Sequence, residues 1–301
     1  MSLTTSAAFK TLKSTLDKIV TDKTDGVEDG LVYKKFCKVE TMSDNYVDDL
    51  ENGGPGLAEE VGEGVALPSK QLYEGPQTRY TARKFGLIMS MTEELDEDGK
   101  YNDQYANLAR RMKRALFKTM DVDAANILNR AFNSAYVGGD GQSLASASHT
   151  LPGGGTFSNT LSTAFSPSRA ALIVVRQNVM LLPGHDGVTE GYMVKKIVCP
   201  VQQLGAWEGI IGSDKVPESG NNEKNIVADW KLELVPVPFW SASSTNWGVI
   251  TNADNGIKFK MRRKPRARTW YDEPTEVINH GVSARWARGW TDPRGFYGSN
   301  A

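Results

Sequence analysis

From Asn102 to Tyr136 the chain runs without a glycine or a proline, and this stretch limits the fold more than any other feature of the sequence. Tyr101, Tyr105, Leu108, Met112, Ala115 or Leu116, Met120, Ala124, Ile127, Leu128 and Ala131 recur at three- and four-residue steps, the period of an amphipathic helix. The pattern predicts one helix over Asn102–Asn133, about 48 Å long at ~1.5 Å per residue. Asp103 suits the positive end of its dipole, and Gly138-Gly139 ends it. A bundle or a coiled coil would use such a helix equally well. The strand-rich sequence that follows points instead to a long helix laid along a sheet.

The flanking segments have other rhythms. Phe9, Leu12, Leu16 and Ile19 predict a short amphipathic helix over Ala7–Val20. Beyond it, glycines and acids up to about residue 75 read as an extended arm and a long loop, which orders against a neighbour or stays disordered. Tyr80–Ser90 reads as a strand, followed by an acidic turn at Glu93–Gly99. Ser166-Pro167 can cap a helix running through Ala170 to Leu181. A strand at Tyr192–Val198, a short helix containing Leu204, Trp207 and Ile210, and strands at Trp230–Val235 and Trp247–Ile250 suggest a compact α/β unit. Gly256–Tyr271 and Ile278–Arg288 read as a long antiparallel pair that returns the chain to the first unit.

Chemistry is sparse. Of His149, His185 and His280 only His280 has a carboxylate at a helical step, Glu276, and that stretch reads as strand, so no metal set emerges; Cys37 and Cys199 are expected to be unpaired thiols. Gly153–Gly155 lacks the Lys and Ser/Thr of a phosphate loop. Ser148 and His149 lack a recognisable third residue, and His149 is expected to bond to backbone in a turn. Glu93-Glu94 and Asp121-x-Asp123 are read as solvated surface. No catalytic, cofactor or metal site is therefore expected. Apolar runs such as Ala170–Val175 fall far short of the ~20 residues that cross a bilayer, so no membrane partner is expected either.

The net charge of -1 hides two blocks. Asp44, Asp48, Asp49, Glu51, Glu59, Glu60 and Glu63 occur with no basic residue between them, whereas Lys258 to Arg268 holds only basic charges. Lys258, Lys260, Arg262, Lys264, Arg266 and Arg268 take every even position, so an extended strand would carry them on one side as a stripe about 33 Å long. Pro265 argues for an edge or a bulge nearby. The stripe could meet carboxylates on another copy, DNA phosphates, or only water.

Several signatures occur in a telling order: Tyr80-Thr-Ala-Arg-Lys-Phe-Gly-Leu-Ile-Met-Ser90 with Glu93-Glu94; Ala124-Ala-Asn-Ile-Leu-Asn-Arg-Ala-Phe132; Asp140-Gly-Gln-Ser-Leu144 leading to Ser148-His149; and Trp286-Ala-Arg-Gly-Trp-Thr-Asp-Pro-Arg-Gly-Phe-Tyr-Gly-Ser299. Together they resemble the major capsid (head) proteins of tailed bacteriophages, the Mu-like group in particular. The resemblance implies an α+β, HK97-like capsid fold: an N-terminal arm at 1–40, an extended loop at 41–78, a peripheral domain with a spine helix at 79–164, an axial α/β domain at 165–255, and a return to the peripheral domain at 256–301. It implies a non-enzymatic shell subunit that assembles through hexamers and pentamers into an icosahedral head around double-stranded DNA, contacting that DNA non-specifically. Possible partners are scaffolding, portal and decoration proteins. No long scaffolding region fits before the arm, so a scaffold is expected as a separate protein or a removed segment. The virion, and the host cytoplasm during assembly, are the implied locations. An encapsulin-like nanocompartment shell is the alternative reading, with a hydrolase using Ser148 and His149, or a sequence-reading nucleic-acid module, further behind.

Overall fold

The computed structural model describes residues 18, 28, 30–54, 56–70, 74–92, 94, 102–215, 223–241 and 243–300. The expected helix at Ala7–Val20, apart from Lys18, and the acidic turn at Glu93–Gly99, apart from Glu94, lie outside the described residues.

Helix α1 (Tyr33–Phe36) leads into strands β1 (Lys38–Thr41), β2 (Tyr46–Asn52), β3 (Glu74–Thr81) and β4 (Arg83–Thr92), then the long helix α2 (Asn102–Asn129). Strands β5 (His149–Thr150) and β6 (Thr156–Phe157) precede helix α3 (Arg169–Met180), strand β7 (Val194–Pro200), helix α4 (Leu204–Gly212), and strands β8 (Glu233–Val237) and β9 (Trp247–Thr251). The chain closes with β10 (Ile257–Asp272), β11 (Val277–Trp290) and β12 (Phe296–Ser299).

The expected helix is present but stops four residues early, at Asn129. Its last turns tighten, with the amides of Ala131 and Asn133 bonding three residues back, and the Asn129 side chain donates to the Phe239 carbonyl and accepts from the Ser241 amide. At ~1.5 Å per residue the helix spans about 42 Å. Met112, Leu116, Met120, Ala124, Ile127 and Leu128 are buried along one side, as the period requires. They pack against the four-stranded sheet β1-β10-β11-β4, where β1 runs parallel to β10 and the other pairs are antiparallel. Ala124 is fully buried, and its small side chain lets helix and sheet come close, while Ala131 is buried just beyond the helix end. Trp286 anchors this core, stacked on Phe85 at 4.1 Å.

A second core forms around the sheet β12-β9-β7-β8, with Trp207 and Trp247 edge to face at 4.7 Å. Its helix α3 is capped by Ser168, whose side chain accepts from the Ala171 amide, rather than by Ser166. Ser168 is the last extended residue before the helical turn, so its hydroxyl is the one that reaches the free amides.

Two expectations about segment boundaries need correction. Residues 31–37 are not a free arm, because Leu31, Tyr33, Phe36 and Cys37 are buried in the first core. The 256–301 stretch does not return whole to the first sheet. The chain turns at Asp292, and β12 adds an edge to the second sheet, pairing with β9. The expected loop at 41–78 contains a two-stranded ribbon, β2 with β3, whose connecting residues 56–70 are almost all exposed.

Candidate interaction surface

The basic stripe lies on β10, and two bulges in that strand decide where its charges go. Met261 faces Trp286 and Arg263 faces Arg285, so two residues of β10 advance against one of β11; between Arg263 and Arg266 three advance against two. Each extra residue turns the side chains to the other face, and two such turns restore the original one. Lys258, Lys260, Arg266 and Arg268 therefore share a face, opposite Gly289, Ala287, Ser283 and Gly281. Arg263 takes the middle place. Arg262 and Lys264 fall at the irregular positions, beside the Pro265 that lacks a ladder donor.

The stripe then divides by burial. Lys258 and Lys260 are buried, and their Nζ atoms donate to Oδ2 of Asp49 at 2.5 and 2.9 Å. Lys260 also lies 3.4 Å from Glu40 and 4.6 Å from the centre of the Tyr80 ring. Burial alone would raise the Asp49 pKa, but the hydrogen bonds from both lysines outweigh it and hold the carboxyl below its usual range. Part of the acidic block is thus consumed within its own chain. Asp48 pairs with Arg79, Glu51 with Arg294, and Glu59 with Lys70, while Glu60 and Glu63 have no ion partner among the described residues.

Farther along the same sheet face, Arg263, Arg266, Arg268, Arg285 and Lys84 gather with no carboxylate opposite them among the described residues. Burial first, and then the neighbouring charges of Arg266, Arg285 and Arg268, push the Arg263 pKa down. Beside them is a groove of about 620 Å³ floored by Gly86 and Gly281 and flanked by Ile88, Trp270 and Arg268. A Cβ on Gly281 would lie 3.1 Å from the Trp270 ring, so the glycine lets the indole lie flat across the sheet. Trp270 and Ile88 remain 41% and 62% exposed, and an apolar floor rimmed with cations is suited to an acidic segment that also carries apolar side chains.

The remaining candidates are structural. His149 is fully buried, with Nδ1 2.5 Å from Asp140 and Nε2 3.1 Å from Asn159, so neither nitrogen is left for Ser148. It bonds to side chains, not to backbone as expected. Asp121 and Asp123 are buried too, correcting the solvated reading. Asp121 accepts from the Tyr33 amide, and Asp123 holds Arg83, Arg288 and the Trp286 indole. Glu51, His185 and Asp292 present ligand atoms within 4.8 Å of one another, a set that their sequence separation conceals. The buried Arg294 guanidinium already sits on both carboxylates, 2.5 Å from Glu51 and 3.1 Å from Asp292, and supplies the cation itself. Cys37 and Cys199 are both free and buried. Among the described residues, no helix is long and apolar enough to cross a membrane.

A family model described as "Phage capsid protein" matches residues 75–299. No curated protein matches the chain. Among solved structures, the capsid of cyanophage P-SCSP1u is 13% identical over 87% of this chain and 85% of that one, with a TM-score of 0.56. A virus-like particle from Pyrococcus furiosus is 9% identical over 95% and 98%, with a TM-score of 0.54. The capsid of the native GTA particle is 11% identical over 89% of each chain, with a TM-score of 0.52. At these identities the likeness is one of fold.

Proposed function

Since the chain belongs to the phage capsid protein family and is a structural, non-enzymatic major capsid protein with an HK97-like fold, we propose how its copies meet in the phage head. The subunits form a homo-oligomeric shell, built here as hexamers and pentamers closing an icosahedral head around double-stranded DNA. The unit containing α2 and the first sheet acts as the peripheral domain. The unit around α3 and the second sheet acts as the axial domain, and β12 links the two. The β2–β3 ribbon reaches an adjacent subunit. Its exposed tip, with Leu57, Val65 and Leu67 beside Glu60 and Glu63, lies in the neighbour's groove at Trp270, Ile88, Arg266 and Arg268. Assembly takes place in the host cytoplasm with scaffolding, portal and decoration proteins as partners. The order of the Tyr80, Ala124, Asp140 and Trp286 signatures supports a Mu-like relationship.

One observation carries this reading: the cation-rimmed groove and the acidic, apolar tip are both exposed, and among the described residues Arg266, Arg268, Glu60 and Glu63 have no ion partner. The family match favours a phage head over an encapsulin-like compartment, which would share the fold.

A single exposed ion pair contributes only ~0.2–1 kcal/mol, but a shell repeats each contact many times. Arg266→Glu with Arg268→Glu should therefore lower the yield of closed, empty particles strongly in a DNA-free preparation and leave subunit melting nearly unchanged. Glu60→Lys with Glu63→Lys should restore part of the yield. Wild-type yield from the first pair removes the intersubunit role, and loss of DNA retention alone would assign these arginines to DNA.

A further inference from the structure

The opposite side of the peripheral unit carries a second basic surface of different character. Arg110, Arg111, Arg114 and Lys118 are exposed on α2, on the side turned away from the sheet. Arg110, Arg114 and Lys118 repeat at four-residue steps and form one row, with Arg111 flanking it. Like charges at this spacing destabilise a helix, so the row does not serve folding. No carboxylate pairs with any of the four among the described residues: Arg110 donates only to the Asn107 side chain, and Lys118 lies over the Phe239 ring. Asp121 and Asp123 of the same helix are turned into the core and add no negative charge to this row.

The contrast with the sheet face identifies the partner class. The sheet face mixes cations with an exposed Trp270 and Ile88 around a groove, the chemistry of a protein contact. The helix face is mainly cationic: among the described residues its exposed large apolar side chains are Leu108 and Val122, which flank the row at its two ends. None of its four cations lines the groove on the sheet face. Arg110 to Lys118 spans about 12 Å of helix, and duplex DNA presents about one negative charge per 1.7 Å of its axis. A straight row of this length can meet several phosphates at once.

We propose that the Arg110, Arg111, Arg114 and Lys118 face of α2 is the lumenal surface that contacts the phosphate backbone of packaged duplex DNA, without regard to sequence. This rests on the reading of the chain as a shell subunit around DNA. The sheet lies between this face and Arg266 and Arg268, so one subunit can hold its neighbours from one side and the nucleic acid from the other.

The test compares wild type, the triple variant Arg110→Gln, Arg114→Gln and Lys118→Gln, and the control pair Arg266→Gln with Arg268→Gln. Unassembled subunits are titrated with a mixed-sequence duplex by fluorescence anisotropy between about 50 and 200 mM salt, and closed-particle yield is scored by electron microscopy. Each neutralised phosphate contributes about 0.9 to the log–log salt slope, so the triple variant should lose up to about 2.7 from that slope. Its affinity at the lowest salt should fall at least tenfold, more than in the control pair, with closed-particle yield unchanged. An unchanged slope, a larger loss in the control pair, or a collapse of particle yield with DNA binding intact would each overturn the proposal. Failure of the wild type to form particles would instead count against the shell reading, while the slope of the free subunits still decides whether this face binds DNA.

Discussion

Asp49→Asn isolates the buried charge network that ties the β2–β3 ribbon to the first sheet. Removing the carboxylate charge leaves Lys258 and Lys260, whose side chains are 4% and 5% exposed, facing each other without their shared counter-ion. Breaking a buried pair in this way costs roughly 3–5 kcal/mol. The low end applies, because the Asp49 side chain is 23% exposed and Glu40 still lies 3.4 Å from Lys260. The expected loss is about 3 kcal/mol. An unfolding entropy of ~2.1 cal/mol/K per residue over 301 residues converts this to a fall in Tm of about 5 °C. The assay is thermal unfolding of the dissociated subunit followed by circular dichroism. The triple change Asp49→Leu, Lys258→Met and Lys260→Met removes all three charges together and should fall within ~1 kcal/mol of wild type, because the desolvation penalty disappears with the pair. A fall in Tm of under about 1 °C for Asp49→Asn refutes the argument. An equal loss in the triple variant refutes it too, by shifting the cause from charge to packing.

The same network sets an acid limit. The folded-state pKa of Asp49 is held below its unfolded value of ~3.9, so its contribution is present above about pH 4 and lost as pH falls through the folded value. The stability profile of Asp49→Asn should be flatter than that of wild type in that window, and parallel profiles would contradict the assignment. Met112→Pro removes a buried side chain and a backbone donor from the middle of α2, at a cost of at least ~3 kcal/mol; wild-type melting would argue against a continuous helix there. Burial pushes both cysteine thiols up in pKa, Cys199 to about 12, so a thiol reagent near neutral pH should label neither residue until the chain unfolds. Rapid labelling of the native protein would disagree with the packing of both cores.

Local periodicity made several elements legible in the sequence. The apolar positions from Met112 to Leu128 specify a helix whichever surface receives it, because steps of three and four residues place them on one side, whereas Leu108, which the same period includes, stays exposed. The β10–β11 pair was equally readable, since both strands alternate around the Asp272-Glu273-Pro274 turn. The ribbon within 41–78 was not, because its strands are short and polar and draw their order from Met42, Tyr80, Ala82 and Ala287, which come from three separate places in the chain. The buried roles of Asp121, Asp123 and His149 were hidden for a related reason: a polar residue shows that it is buried only through partners that other segments supply.

The basic stripe divides the two sources of information most sharply. Alternation alone determined that Lys258, Lys260, Arg266 and Arg268 share a face, and the paired bulges preserved that result by reversing the side chains twice. Which of these cations face a partner was decided only by tertiary structure. Asp49, 209 residues away from Lys258 in the chain, arrives on β2 and closes over the first two lysines, while among the described residues no carboxylate reaches the arginines at the far end. A strand's period fixes directions relative to its own backbone, but burial and charge pairing depend on what other segments bring to that face, and only the folded chain supplies them.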